Sequence, residues 1–285
     1  MTCARSASTE SAVMHELRQA GFTLVELVMV IALAGLVAVM VSAVMSNPLQ
    51  SFVDQSRRAE LVDKASVALN RMARDVHLAV PNSLTVGSSQ IQMLSIAAAG
   101  RYRANQPDGV GPRLDPPQCT QSVGDCSIEI LSPITPASSN TAHWLIIYNT
   151  DISELNAAAA PSVISPKVFT WAAGSLSASL QGFRFKYASP QHRFYLASDV
   201  VGYRCAGAGM DAEGNGTGKL WRGISANLDG SSPVESLVVD SVSGCTFTYA
   251  PGTNTRSGLV TLRLTLSQND EPITLLQQVH VDNAP

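Results

Sequence analysis

Charge is scarce in this 285-residue chain: Lys, Arg, Asp and Glu make up 14% of it, with 19 basic residues against 22 acidic ones and a formal net charge of -3. A nucleic-acid binder neutralises phosphates with surplus Lys and Arg, and no surplus exists here. Aromatic residues are few, at 6%, yet hydrophobic residues reach 45%, so the low hydrophobicity and high net charge of a disordered chain are both missing. Arrangements that carry catalysis are missing too. His143, His192 and His280 stand apart, and there is no HExxH, no GxSxG and no Cys or His spacing suited to zinc. Gly214-Asn-Gly-Thr-Gly-Lys-Leu220 has the look of a phosphate loop, but Glu213 stands where the first glycine belongs and Leu220 replaces the magnesium-binding hydroxyl. Gly207-Ala-Gly209 lacks the third glycine of a dinucleotide turn. Neither an enzyme activity nor a cofactor is expected. Metal chemistry has one weak candidate: Asp211, Glu213 and Asn215 alternate ahead of Gly216 as in a calcium loop, but the twelfth position is Arg222 and not a bidentate glutamate. A solvated turn is the simpler account of that loop.

What the chain does have is one long apolar run. No charge occurs from Leu27 to Val53, and residues 22–45 are almost entirely Val, Leu, Ile, Ala and Met. As a helix rising 1.5 Å per residue, such a run crosses the roughly 30 Å of bilayer hydrocarbon. Near Asn47 and Pro48 a missing donor and a ring clash predict a kink or loosening. Beyond it Leu61, Ala65, Leu69, Met72, Val76 and Val80 recur at helical spacing, with Arg57, Arg58, Asp63, Lys64, Arg71, Arg74 and Asp75 on the remaining surface, until Pro81 and Asn82 stop the helix. This amphipathic stripe is expected to face the chain's own sheet. Short β-like runs follow at 91–96, 143–149, 168–171, 183–187, 193–197, 236–242, 245–250, 259–266 and 273–281, separated by loops rich in Gly, Pro and Ser at 106–117, 133–141 and 206–218. In Leu259-Val-Thr-Leu-Arg-Leu-Thr-Leu266, Leu262, Leu264 and Leu266 share one face and Arg263 and Thr265 the other. The fold class is therefore α+β, a long N-terminal helix packed on an antiparallel sheet with long loops.

Of five cysteines, Cys3 precedes the apolar run and four lie in the β-rich part. Three pairings are possible, and the natural one joins the close pair Cys119 and Cys126 and the distant pair Cys205 and Cys245. An oxidising setting outside the cytoplasm suits them, the second link tying the loop after the 193–197 strand to the C-terminal strands.

The start of the apolar run reads Gly21-Phe22-Thr23-Leu24-Val25-Glu26. A carboxylate just inside an apolar segment costs about 2.5–3.5 kcal/mol at a helix centre and less at its end, so Glu26 calls for a partner. Cleavage after Gly21 would supply one, since Phe22 would then carry an α-ammonium four residues away. This segment closely resembles the processing signal of type IV pilins and type II secretion pseudopilins. The resemblance implies a pilin-like fold, cleavage after Gly21 by a prepilin peptidase, N-methylation of Phe22, and Glu26 as the residue that registers the subunit among its neighbours. It divides the chain into a leader 1–21, a transmembrane helix 22–47, its amphipathic continuation 48–81 and a periplasmic β-rich domain 82–285. The segments 71–83, 258–267 and 278–285 further resemble minor pilins of the mannose-sensitive haemagglutinin pilus system, relatives of the J-type pseudopilins. Implied partners are the prepilin peptidase, other major and minor pilins, the inner-membrane assembly platform and membrane lipid. Other readings compete: an adhesin-like tip module, a pseudopilin of a type II secretion system, a plain membrane anchor that never polymerises, and a secretory signal cut after Val41-Ser-Ala43 that would release a soluble protein starting at Val44. Met14 offers an alternative start that shortens the leader and removes Cys3.

Overall fold

The structure is a computed structural model that describes residues 21–120, 125–131, 133–157, 159–252 and 257–281, and of 45–50 the backbone alone. Cys3, Met14 and the rest of the leader before Gly21 lie outside the described residues. The chain divides into two units, the first ending at Gln55 and the second beginning at Ser56. One helix, α1 (Leu24–His77), contributes to both, and its backbone stays helical through Asn47 and Pro48, so the expected disturbance there does not end it.

Unit 2 is built around the apolar stripe of α1. Leu61, Ala65, Leu69, Met72 and Val76 are all buried, joined by Ala68 and Ala73, and the alternating spacing of three and four residues puts them on one side of the helix. Burying each large side chain of that row stabilises the contact by about 1.5–3 kcal/mol. The helix ends at His77, three residues before Val80, which the periodicity had included. Two effects end it early. Val80 precedes Pro81 and is disfavoured in helical geometry. The backbone also finds a different partner: the Val80 amide donates to the Leu94 carbonyl at 2.8 Å and the Ile96 amide to the Leu78 carbonyl at 2.8 Å.

The strands are β1 (Thr85–Val86), β2 (Gln90–Arg101), β3 (Cys126–Glu129), β4 (Ser139–Ile146), β5 (Phe169–Ala172), β6 (Ser175–Ala178), β7 (Arg193–Ala206), β8 (Gly218–Ser225), β9 (Val234–Ala250), β10 (Gly258–Gln268) and β11 (Glu271–Val281). All pairings between them are antiparallel. Strand β7 organises the sheet. One of its edges carries β2 along its whole length, while the other carries β4 at 195–197 and β8 from Val200 onward. From β8 the sheet continues through β9 and β10 to β11, and the α1 stripe packs against Ile91 and Met93 of β2, Tyr203 of β7, and Leu220, Phe247, Val260, Leu262, Leu264 and Leu266 beyond them. In the opposite direction β4, β5, β6 and β3 follow, and β3 returns to the end of β2: the Arg103 amide donates to the Glu129 carbonyl at 2.9 Å and the Leu131 amide to the Arg101 carbonyl at 2.8 Å. This ring of six strands encloses a second core of Tyr102, Ile128, Leu145, Phe169, Trp171, Leu176, Phe194 and Leu196.

Several strands differ from the pattern in the sequence. The two runs 236–242 and 245–250 form one strand, β9, and 193–197 extends to Ala206. The run 183–187 forms no strand. Phe183 and Phe185 are buried with their rings 5.1 Å apart, but Gln118↔Arg184 and Ser162↔Phe185 are single bridges on opposite sides of it. Strands β1, β3, β6 and β8 are not apparent in the sequence, the first being two residues long, the next two four residues each, and β8 interrupted by Arg222 and two glycines.

Candidate processing and assembly segment

Gly21, Phe22 and Thr23 lead into α1 without helical geometry. The Thr23 side-chain oxygen accepts from the Glu26 amide at 3.2 Å, and its carbonyl accepts from the Leu27 amide at 3.1 Å, so Thr23 is the N-cap. Thr23-Leu-Val-Glu26 has the residue types of a capping box, with Glu26 in the first turn where an acid complements the helix dipole. Fixed in this way, the helix start leaves the preceding Gly21–Phe22 bond in exposed, non-helical chain. Phe22 is 81% exposed. A Cβ added at Gly21 would meet nothing within 4 Å, so no packing within the described residues demands glycine there. The apolar part of the helix, Leu24–Val44, has 21 residues, a mean hydropathy of 2.8 and nothing buried against the rest of the chain. Its length is about 32 Å, enough to cross a bilayer.

Within unit 2, a charge cluster fixes the last turns of α1 to the sheet. Asp75 Oδ2 accepts from the Tyr203 hydroxyl at 2.7 Å and from Arg222 Nε at 2.7 Å, with the Asp75 and Arg222 side chains about one-sixth exposed. Burial opposes the Arg222 charge, but the Asp75 carboxylate outweighs it and holds the guanidinium above its usual pKa. Burial, and then the same carboxylate, push the Tyr203 phenol up. Asp75 is thus a part-buried anchor rather than part of a solvated helix face, and Arg222, set aside above as a failed calcium ligand, is its partner. A second joint lies just past the helix, where Asn149 Nδ2 donates to the carbonyls of Pro81 and Asn82, and Asn82 Nδ2 donates to the Asn149 carbonyl at 2.9 Å.

The structure joins Cys119 to Cys126, with Cα atoms 4.8 Å apart, and Cys205 to Cys245, at 6.6 Å. Cys205 lies within β7 and Cys245 within β9, so the second link connects two strands and not the loop expected from the sequence. The calcium candidate takes a different role. The Asp211 carboxylate accepts from the amides of Glu213 and Asn215 and from Asn215 Nδ2, and these donors hold its pKa below the usual range. Asn215 Oδ1 accepts from the Asn269 amide at 2.9 Å, pinning this loop to the β10–β11 turn. Gly214 has φ of 75°, and a Cβ on it would overlap the backbone of Asp270, so the glycine-rich run serves close approach. Among the described residues no three of His, Cys, Asp and Glu sit together as a metal set.

His143 and His192 are likewise parts of the scaffold. His143 is buried against Trp171, ring centroids 4.8 Å apart, with Nδ1 2.7 Å from the Thr141 carbonyl. His192 Nε2 is 3.2 Å from Asp115 Oδ2, while Asp115 Oδ1 accepts from the Tyr102 hydroxyl at 2.8 Å. Burial pushes the Tyr102 phenol up, so it stays protonated at neutral pH. His280 is exposed on β11. Thr23, not singled out in the sequence, carries a Thr-x-x-Glu signature that could have found it; Asp75 with Arg222 has no such signal, because 147 positions separate them.

Residues 17–42 match the family described as the prokaryotic N-terminal methylation motif. The match covers Gly21, Phe22, Glu26 and most of the apolar helix. It supports a type IV pilin or pseudopilin subunit, with processing by a prepilin peptidase and assembly with other pilins. Among the described residues one helix, near the N-terminus, is long and apolar enough to cross a membrane, which fits an inner-membrane anchor carrying a soluble C-terminal domain. Comparison with curated proteins and with solved structures gives no match.

Proposed function

We propose that the chain is a minor pilin of a type IV pilus assembly, of the mannose-sensitive haemagglutinin type, cut between Gly21 and Phe22, methylated on Phe22 and held in the inner membrane with its β-rich domain in the periplasm. It performs no reaction of its own and acts through subunit contacts, at the initiation or tip end of the filament. One observation carries this reading: an open Gly21–Phe22 bond directly ahead of a capped, wholly exposed apolar helix that bears a single carboxylate, Glu26, in its first turn. In a bilayer or in a filament core such a helix packs among like helices, and there the new α-ammonium and Glu26 neutralise each other, within a subunit or between neighbours. Resemblance of the segments 71–83, 258–267 and 278–285 to MshO-type minor pilins supports the finer assignment. Mass spectrometry of the N-terminal peptide tests the proposal. It should recover N-methylated Phe22, whereas a chain starting at Val44 would establish a secretory signal and end this reading.

A further inference from the structure

We infer that Asn215 is a self-modification site: it loses its side-chain amide through a succinimide formed with Gly216 once the 211–216 loop leaves the β10–β11 turn, and the product cannot seat there again. Asn215 is the only asparagine in the chain followed by glycine. In that dipeptide no side chain on the second residue hinders its nitrogen from reaching the asparagine Cγ, and the freedom of the glycine backbone lets the five-membered ring close.

Packing imposes this labile pair. A Cβ on Gly216 would overlap the backbone carbonyl of Ser241, so the loop approaches β9 this closely only with glycine there. Asn215 in turn uses an amide with two different ends. Its Nδ2 donates to Asp211 Oδ2 at 3.1 Å, while its Oδ1 accepts from the Asn269 amide at 2.9 Å. Aspartate lacks the donor for the first of these bonds.

While the loop is seated, the same contacts block the reaction. Ring closure needs the Gly216 nitrogen to lose its proton and attack Asn215 Cγ. That N–H instead donates to the Ser267 carbonyl at 2.8 Å, which turns the nitrogen toward β10. Both ends of the Asn215 side chain are held, so Cγ rotates toward the nitrogen only by breaking a bond. The Asp211 carboxylate, kept ionised by its donors, also opposes the negative charge that the nitrogen would carry.

Away from the turn these restraints are gone. The Gly216 nitrogen bonds to Cγ, the Cγ–Nδ2 bond breaks, and the nitrogen's proton leaves with the amide as ammonia. Water then adds to one of the two succinimide carbonyls and opens the ring, with no change of oxidation state. One product is aspartate, the other isoaspartate, whose main chain runs through Cγ. Aspartate at 215 sets a carboxylate where Nδ2 met Asp211, two like charges at hydrogen-bond distance. Isoaspartate lengthens the backbone between the Asn215 amide, which donates to Asp211 Oδ1 at 2.7 Å, and the Gly216 amide on Ser267. Either way a transient opening becomes a permanent one.

The test uses the full chain in detergent at mildly alkaline pH, folded or in urea, with residue 215 followed by peptide mapping and mass spectrometry. Conversion should be at least about tenfold slower in the folded chain than in the unfolded one. Equal rates overturn the inference, and this comparison needs no variant. Asp211→Ala removes the acceptor of both Asn215 nitrogens and leaves the dipeptide intact. Its folded-state conversion, scaled to its own unfolded chain, should rise about fivefold over wild type; an unchanged ratio shows that the loop contacts do not guard the site. Asn215→Asp stands for the product, and its Asn269 and Asp270 amides should exchange at least about fivefold faster at neutral pH. Exchange at the wild-type rate would mean that the modified loop seats normally, which refutes the permanent opening.

Discussion

Removing the carboxylate of Asp75 is the sharpest test of how α1 is held. One oxygen, Oδ2, receives both the Tyr203 hydroxyl and Arg222 Nε at 2.7 Å. Asp75→Ala leaves the Arg222 guanidinium without a counter-charge, with only the Tyr203 phenol oxygen beside it as an acceptor. Breaking a fully buried pair costs about 3–5 kcal/mol, and the residual exposure of both side chains lowers the expectation here to about 2–4 kcal/mol. Asp75→Leu combined with Arg222→Met removes both charges and should recover most of that loss, because the Arg222 desolvation penalty disappears with its partner. All three tryptophans, Trp144, Trp171 and Trp221, lie in unit 2, so intrinsic fluorescence during urea unfolding of the full chain in detergent reads that unit alone. A single-variant loss below about 0.5 kcal/mol, the size of an exposed pair, would refute the anchor argument. So would a double variant whose loss is the sum of the two singles.

Further expectations concern pH, covalent links and assembly. The folded pKa of Tyr203 lies above the ordinary value of 10.0, so its contribution is complete below pH 10 and is lost as pH rises beyond that; Tyr203→Phe should flatten the alkaline fall in urea midpoint. Burial lowers the pKa of His143 below 6.5, so stability present above that pH is lost as pH falls through the depressed value, and His143→Phe should lessen the acid slope. Loop closure assigns about 2.4 kcal/mol to the link across seven residues and about 4 kcal/mol to the one across forty, so Cys205→Ala with Cys245→Ala should lower the thermal midpoint more than loss of the Cys119 link. Glu26→Gln should be cleaved and inserted with unit 2 folded, yet co-purify poorly with other pilins; wild-type piliation by that variant sinks the proposed pairing of Glu26 with the terminal ammonium.

Sequence alone was sufficient wherever the information is local or periodic. The Gly21–Glu26 segment and the charge-free run need only adjacent residues to be legible, and the 61–76 stripe follows from helical geometry. Alternation from Leu259 to Leu266 identified the buried leucines of β10, because side chains on a strand repeat every two residues. Tertiary structure decided what depends on distant pairing. The helix ends at His77 because Leu78 and Val80 bond to β2, and a stripe alone carries no record of that competition. Strands as short as β3 and β6 have no readable period and exist through the ring they close. Asp75 looked like a surface charge until Arg222 and Tyr203 arrived from β8 and β7. That β11 ends the sheet order among the described residues is decided by which strands find partners, and nothing between Glu271 and Val281 states it.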